Sequence, residues 1–188
     1  MEQHIFLTPK SQRKLQLSPD HVRDLSLKET TDYYGSLGLY TKLDYELEQA
    51  GLSDNQEVQF AKELGLMLHG NDQRTSGHYG DHLMRVGLRI MTSYKIKDAA
   101  IIAASFLHDS VEDHPYDLSS SLGMPCPDNI DPQEHALHVL KKCVGDEITY
   151  IVELLTTPKF DPDTKQEQYV NYTRNLVVKS PKARVIKL

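Results

Sequence analysis

The run His108-Asp109-Ser110-Val111-Glu112-Asp113 brings an imidazole and three carboxylates together in a short stretch of chain. Read as helix, this spacing sets Glu112 one turn from both His108 and Asp109, and Asp113 one turn from Asp109. The residues just before it, Ala99 to Leu107, are apolar nearly all round, as in a helix buried among others. Acids at the C-terminal end of a buried helix are opposed by the helix dipole and by desolvation. A divalent cation removes that conflict, because neutral imidazole and carboxylate are good ligands for manganese, iron, zinc or nickel and the ion offsets the acids. Adjacent helical residues diverge by roughly 100°, so His108 and Asp109 alone cannot enclose an ion. His82, in the first turn of the preceding predicted helix, is the candidate that completes the set.

The elements that must hold these residues read as helices. Val58, Ala61, Leu64, Leu66, Met67 and Leu68 fit an amphipathic helix that starts near Gln56 and ends near Gly70, and a polar, glycine-punctuated loop follows from Asn71 to Gly80. Leu83, Val86, Ile90 and Met91 recur at helical spacing, with a break at Lys95 to Lys97. His114-Pro115 discourages continuation past Asp113, so a Ser/Gly/Pro-rich loop is expected to about Asp131. Two helices should then follow, Gln133 to Val144 and Glu147 to Thr156, stopped at Gly145 and before Pro158, and a last one from Thr164 to about Lys179. Strand-like alternation is nearly absent, which predicts an all-α bundle rather than an α/β layer fold. Residues 1–54, with weak periodicity and with Pro9, Pro19, Gly35 and Gly38, read as an N-terminal extension carrying one or two short helices, and 55–188 as one domain.

These residues together resemble the HD superfamily of metal-dependent phosphohydrolases and, within it, the hydrolase domain of RelA/SpoT-type enzymes. The resemblance runs over roughly 56–188. It is carried by His69, by Gln73-Arg74-Thr75-Ser76-Gly77-His78-Tyr79 leading to His82, by Arg85-Val86, and by His108 to Asp113 after Ala103-Ala104-Ser105-Phe106-Leu107. It implies an HD-domain helical bundle with an N-terminal extension, in which His82, His108 and Asp109 bind a metal, manganese foremost and iron, nickel, zinc or magnesium otherwise. Glu112 and Asp113 would then position or deprotonate the attacking water, and Arg74 would lie near the phosphates or base of a nucleotide. Tyr79 would stack on the base or pack the loop, while His69 and His78 read as structural or solvent-facing. Ala183-Arg184-Val185-Ile186-Lys187-Leu188 looks like the start of the family's closing motif, whose lysine-leucine pair is followed by a small residue and a metal-binding aspartate. The chain is therefore expected to be cut short of a fourth ligand.

The stretch from Arg74 to His82 is one residue shorter than the RelA/SpoT spacing and lacks the proline before Tyr79, and the segment from His114 to Asp131 is much longer. The resemblance thus implies a reaction class, cleavage of a phosphate or pyrophosphate ester of a nucleotide-like substrate, with guanosine polyphosphate one candidate. An HD-type nucleoside monophosphatase and a non-catalytic nucleotide-binding HD module are the alternatives.

Composition bounds the rest. With 188 residues, 39% hydrophobic and 26% charged, the chain suits one ordinary globular domain. No apolar run approaches the ~20 residues of a membrane span, and the start MEQHIFLTPKSQRK lacks the pattern of a secretory signal. A net charge of -6 without a dense Lys/Arg stripe disfavours nucleic acid as a partner. Cys126 and Cys143 give neither a disulfide framework nor a zinc spacing and read as free thiols in a reducing, cytoplasmic compartment. The expected partner is a small nucleotide-like molecule, neither a membrane nor a nucleic acid.

Overall fold

The computed structural model describes residues 17–75, 77–158 and 163–187. After a 3-10 turn at Pro19–His21 the chain forms α1 (Leu27–Ala50), α2 (Gln56–Leu68), strands β1 (Gln73–Arg74) and β2 (Gly77–His78), α3 (Tyr79–Thr92), α4 (Ala99–Leu107) and α5 (Ser110–Asp113). Then come α6 (Pro115–Ser121), α7 (Pro132–Leu155), α8 (Lys165–Lys179) and α9 (Pro181–Lys187). The protein is mostly helical, as the sequence predicts; the described residues form one small antiparallel ladder, β1 with β2. No described helix is long and apolar enough to cross a membrane.

The core is built round α4. Ala100 to Leu107 are all buried, and α2, α3 and α7 pack on this helix. Two glycines let its neighbours come close. A Cβ on Gly65 of α2 would lie 2.2 Å from the Phe106 carbonyl oxygen, and one on Gly87 of α3 would lie 3.1 Å from Phe106 Cζ. The start of α4 is fixed by Asp98, which accepts the Ile101 amide at 3.1 Å as its N-cap. The same carboxylate accepts Lys182 Nζ at 2.7 Å, and Lys182 also reaches Glu147 at 2.6 Å, so α9 is tied to the beginning of α4 and to α7. His108, the residue after α4, is thereby delivered to a defined point beside α3.

Several elements differ from the sequence reading, each for a local reason. In the N-terminal segment, Leu27–Ala50 is longer than the short helices expected: two helical stretches meet at Gly35, and the second buries Leu39, Leu43 and Leu47 in the core. Its periodicity is weak over the whole segment because the path breaks at Gly35 (φ 57, ψ -147) and the apolar stripe lies after that break. At Gly145 the expectation holds: its non-helical backbone (φ 78, ψ -178) separates two helical stretches within α7, before and after it. His114-Pro115 opens a helix instead of a loop, since proline at the first helical position loses an N–H that has no intrahelical partner anyway. The short helix α9 follows the expected last helix directly after Ser180.

Candidate metal centre

His108 and Asp109 stand in the turn between α4 and α5, and His82 lies in the first turn of α3. The expected run of continuous helix through 108–113 is interrupted here, and the interruption lets two adjacent residues face one point. Ligand atoms of His82, His108 and Asp109 lie within 4.8 Å of one another. The His108 Nδ1 sits 2.7 Å from the carbonyl oxygen of Ser105. A carbonyl can only accept, so Nδ1 carries a proton and Nε2 is the nitrogen turned toward Asp109. That Nε2 is 3.0 Å from Asp109 Oδ2, and His82 Nε2 is 3.8 Å from the same oxygen.

Burial, with the nearby His108 and Arg74, pushes His82 down to about 4, so this ring is neutral at neutral pH. Burial alone would raise the Asp109 carboxyl, but the His108 ring and the Tyr79 hydroxyl, which donates to Oδ2, hold it well below the ordinary carboxylate range. His82 and Asp109 are therefore in the protonation states a metal needs. For bonds of ~2.1 Å, neighbouring ligands around an ion stand about 3.0–3.5 Å apart, close to what these residues show. Two imidazoles and a carboxylate suit manganese, iron, nickel or zinc.

The cluster opens into a cavity of 320 Å³ walled by Val86 and Ile186 and edged by the cations Arg74, Arg89 and Lys187. None of these cations has an ion-pair partner among the described residues. A recess of 170 Å³ shares Arg74, His82 and Arg89 and runs on to His78, Asp81 and Arg85. A larger cleft of 600 Å³, between the end of α7 and α8, has no His, Cys or Asp in its lining. Arg74 is brought to the cavity by the β1–β2 turn, where Gly77 takes φ 124, a conformation that favours glycine. Its guanidinium lies 4.7 Å from the centre of the Tyr79 ring. Tyr79 itself stacks on His69 at 4.4 Å and 12°. Its ring thus packs the loop, the second of the two roles expected for it, and its hydroxyl orients Asp109.

The two acids expected to serve the water are placed differently. Glu112 accepts the Thr157 amide at 2.9 Å, which ties α5 to the segment leaving α7. Asp113 is exposed and has no hydrogen-bond partner among the described residues. Burial of part of its carboxyl and the charge of Asp109 raise its pKa above the ordinary value. A carboxylate free of partners and raised by a neighbouring charge is suited to take a proton.

Sequence reasoning passed over Arg89 and Lys187, although Arg89 follows His82 by two helical turns and so shares its face. It also passed over Asp72 and His114. His69 Nδ1 and His114 Nε2 lie 2.8 and 2.7 Å from Asp72 Oδ2, forming a second His/Asp cluster in which Asp72 and His114 stand 42 residues apart in the chain, too far to leave a local signature. Comparisons of the chain with protein-family models, curated proteins and solved structures find no match.

Proposed function

We propose that this chain is a metal-dependent phosphohydrolase of the HD type, acting on a phosphate or pyrophosphate ester of a nucleotide-like molecule. The observation that carries the reading is the convergence of the His82 and His108 nitrogens on the Asp109 carboxylate, with the other His108 nitrogen committed to Ser105. A divalent ion held by His82, His108 and Asp109 supplies, when bound, a more acidic water and a polarised phosphoryl oxygen. Arg74, Arg89 and Lys187 hold the anionic oxygens of the substrate at the cavity edge. Asp113 accepts the proton of the water as its oxygen attacks phosphorus; the P–O ester bond breaks, and the leaving oxygen is protonated from solvent. Glu112 acts through position, since its contact with Thr157 sets the orientation of α5 and hence of Asp113. Val86 and Ile186 limit water on the inner wall.

Three cations without anionic partners among the described residues favour a substrate group with several negative charges, so pyrophosphate esters rank above simple monophosphates. The test is phosphate and pyrophosphate release from nucleoside mono-, di- and triphosphates and guanosine polyphosphates with manganese, for this chain and for a version continued beyond Leu188. Asp109→Ala and His108→Ala should lower turnover at least a hundredfold, since losing even an outer partner of a metal ligand costs ~10–100-fold. Release confined to monophosphates would select the nucleoside monophosphatase reading. Nucleotide binding without release in either version would select the non-catalytic module, and hydrolysis retained by metal-free Asp109→Ala would sink the mechanism.

A further inference from the structure

We infer that His69, Asp72 and His114 form a second divalent-cation site, of the zinc class, separate from the centre at Asp109. Its ligands come from two segments far apart in the chain: His69, which caps the end of α2, and Asp72, in the loop just after it, form one, and His114, which joins α5 to α6, the other. His69 Nδ1 and His114 Nε2 both meet Asp72 Oδ2, at 2.8 and 2.7 Å, and the two rings stand edge to face at 4.7 Å. A single oxygen facing two ring nitrogens is the arrangement that closes on an ion. Neighbouring ligands at bonds of ~2.0 Å are about 3.3 Å apart in a tetrahedron, so a spread of a few tenths of an ångström admits one.

The His69 side chain is fully buried, which fixes the nitrogen that meets Asp72. One further observation points to an ion rather than to a hydrogen-bonded clamp. The other nitrogen of His114, Nδ1, is directed at the Asp117 carboxylate at 3.4 Å. An outer carboxylate on the free nitrogen of a ligating imidazole is the usual support of such a ligand. The site has a closed side at His69 and a solvent side at Asp72 and His114, 31% and 18% exposed, which leaves a way in and room for a water as fourth ligand.

Tyr79 links the two centres. It stacks on His69 and donates to Asp109, so an ion here would hold the His69 ring and, through it, the tyrosine that orients the carboxylate of the first centre. The role is structural, and His69, read from the sequence as structural or solvent-facing, becomes a ligand as well.

The experiment is elemental analysis and titration with cobalt of the full chain and of the variants Asp72→Asn, His114→Ala and His108→Ala, each checked for folding by circular dichroism. Zinc should bind with two equivalents in the unaltered chain and one in His108→Ala. Asp72→Asn, nearly the same shape, should keep one, and the double variant Asp72→Asn/His108→Ala none. Cobalt bound to His108→Ala should show visible absorption that Asp72→Asn removes. A folded His108→Ala chain that binds no zinc or cobalt overturns the proposal, as does Asp72→Asn binding as much as the unaltered chain. Either result leaves the reading of the first centre to its own assay.

Discussion

At the scale of single residues, the two acids beside the first candidate centre differ in what holds them, whereas two of its ligands, His108 and Asp109, are marked already in the sequence. His108 and Asp109 are adjacent, and the apolar run before them marks a buried position. Which acid does the chemistry is not legible there, because Glu112 and Asp113 differ only in what other segments bring to them. Thr157 engages Glu112, and nothing among the described residues engages Asp113. Asp113→Asn should therefore reduce kcat by about 10²–10⁴, the range of a lost general base, with manganese affinity nearly unchanged. Glu112→Gln keeps one oxygen for the Thr157 amide and should reduce kcat less. Steady-state kinetics of the two variants beside metal titrations decide between them, and a larger loss for Glu112→Gln would reverse the roles. Tyr79→Phe removes only the hydroxyl on Asp109; a hydrogen bond to a charged group is worth about 1.5–3 kcal/mol, so metal binding should weaken by roughly ten- to a hundredfold.

At the scale of elements, the helices with an unbroken stripe are those the sequence places well: α2, α3 and α4 form where periodicity or an apolar run predicts them. What escapes such reading is packing across elements. Gly65 looks like a weak point in a helix, yet it is the point at which α2 meets the backbone of α4. The Phe106 oxygen, 2.2 Å from the position of a Cβ, belongs to a rigid buried helix and cannot yield. Gly65→Ala should thus cost about 3 kcal/mol, the upper part of the range for overpacking, even though alanine is the better helix former. Chemical denaturation measures this, and an unchanged midpoint would show that the two helices are free to separate.

Asp98 joins two elements in one carboxylate, capping α4 and holding Lys182 of α9. Burial acts to raise its pKa, but Lys182 and the Ile101 amide outweigh it and the net shift is downward. A carboxyl whose folded pKa is depressed stabilises the fold above its unfolded pKa and loses that contribution as pH falls through the folded value. Asp98→Ala should cost about 1–2 kcal/mol at neutral pH, as for loss of an N-cap. The difference between this variant and the parent should shrink on acidification below the carboxylate range, which denaturation curves at successive pH values would show.

At the scale of the whole molecule, composition and fold carry different information about charge. The chain is acidic overall, -6, but folding gathers Arg74, Arg89 and Lys187 from a loop, a helix and the end of α9 around one cavity. Those three come together only in the tertiary structure, which is why no basic motif announces them. The same assembly makes metal binding a property of the folded state: His82 comes from α3, and His108 and Asp109 from the turn after α4. An unfolded chain has no such site, so an ion that binds here must stabilise the fold by mass action. At a hundred times its dissociation constant, manganese should add about 2.7 kcal/mol, or roughly 5–11 °C in Tm for a chain of this size. Chelation should reverse the shift in the parent chain. In His108→Ala the manganese response should be largely absent, while zinc should still raise Tm if the cluster at Asp72 also binds an ion. Thermal melts with each metal, with and without chelator, therefore separate the two centres in one experiment. A parent chain whose Tm ignores manganese and zinc alike would mean that both clusters are held by hydrogen bonds alone.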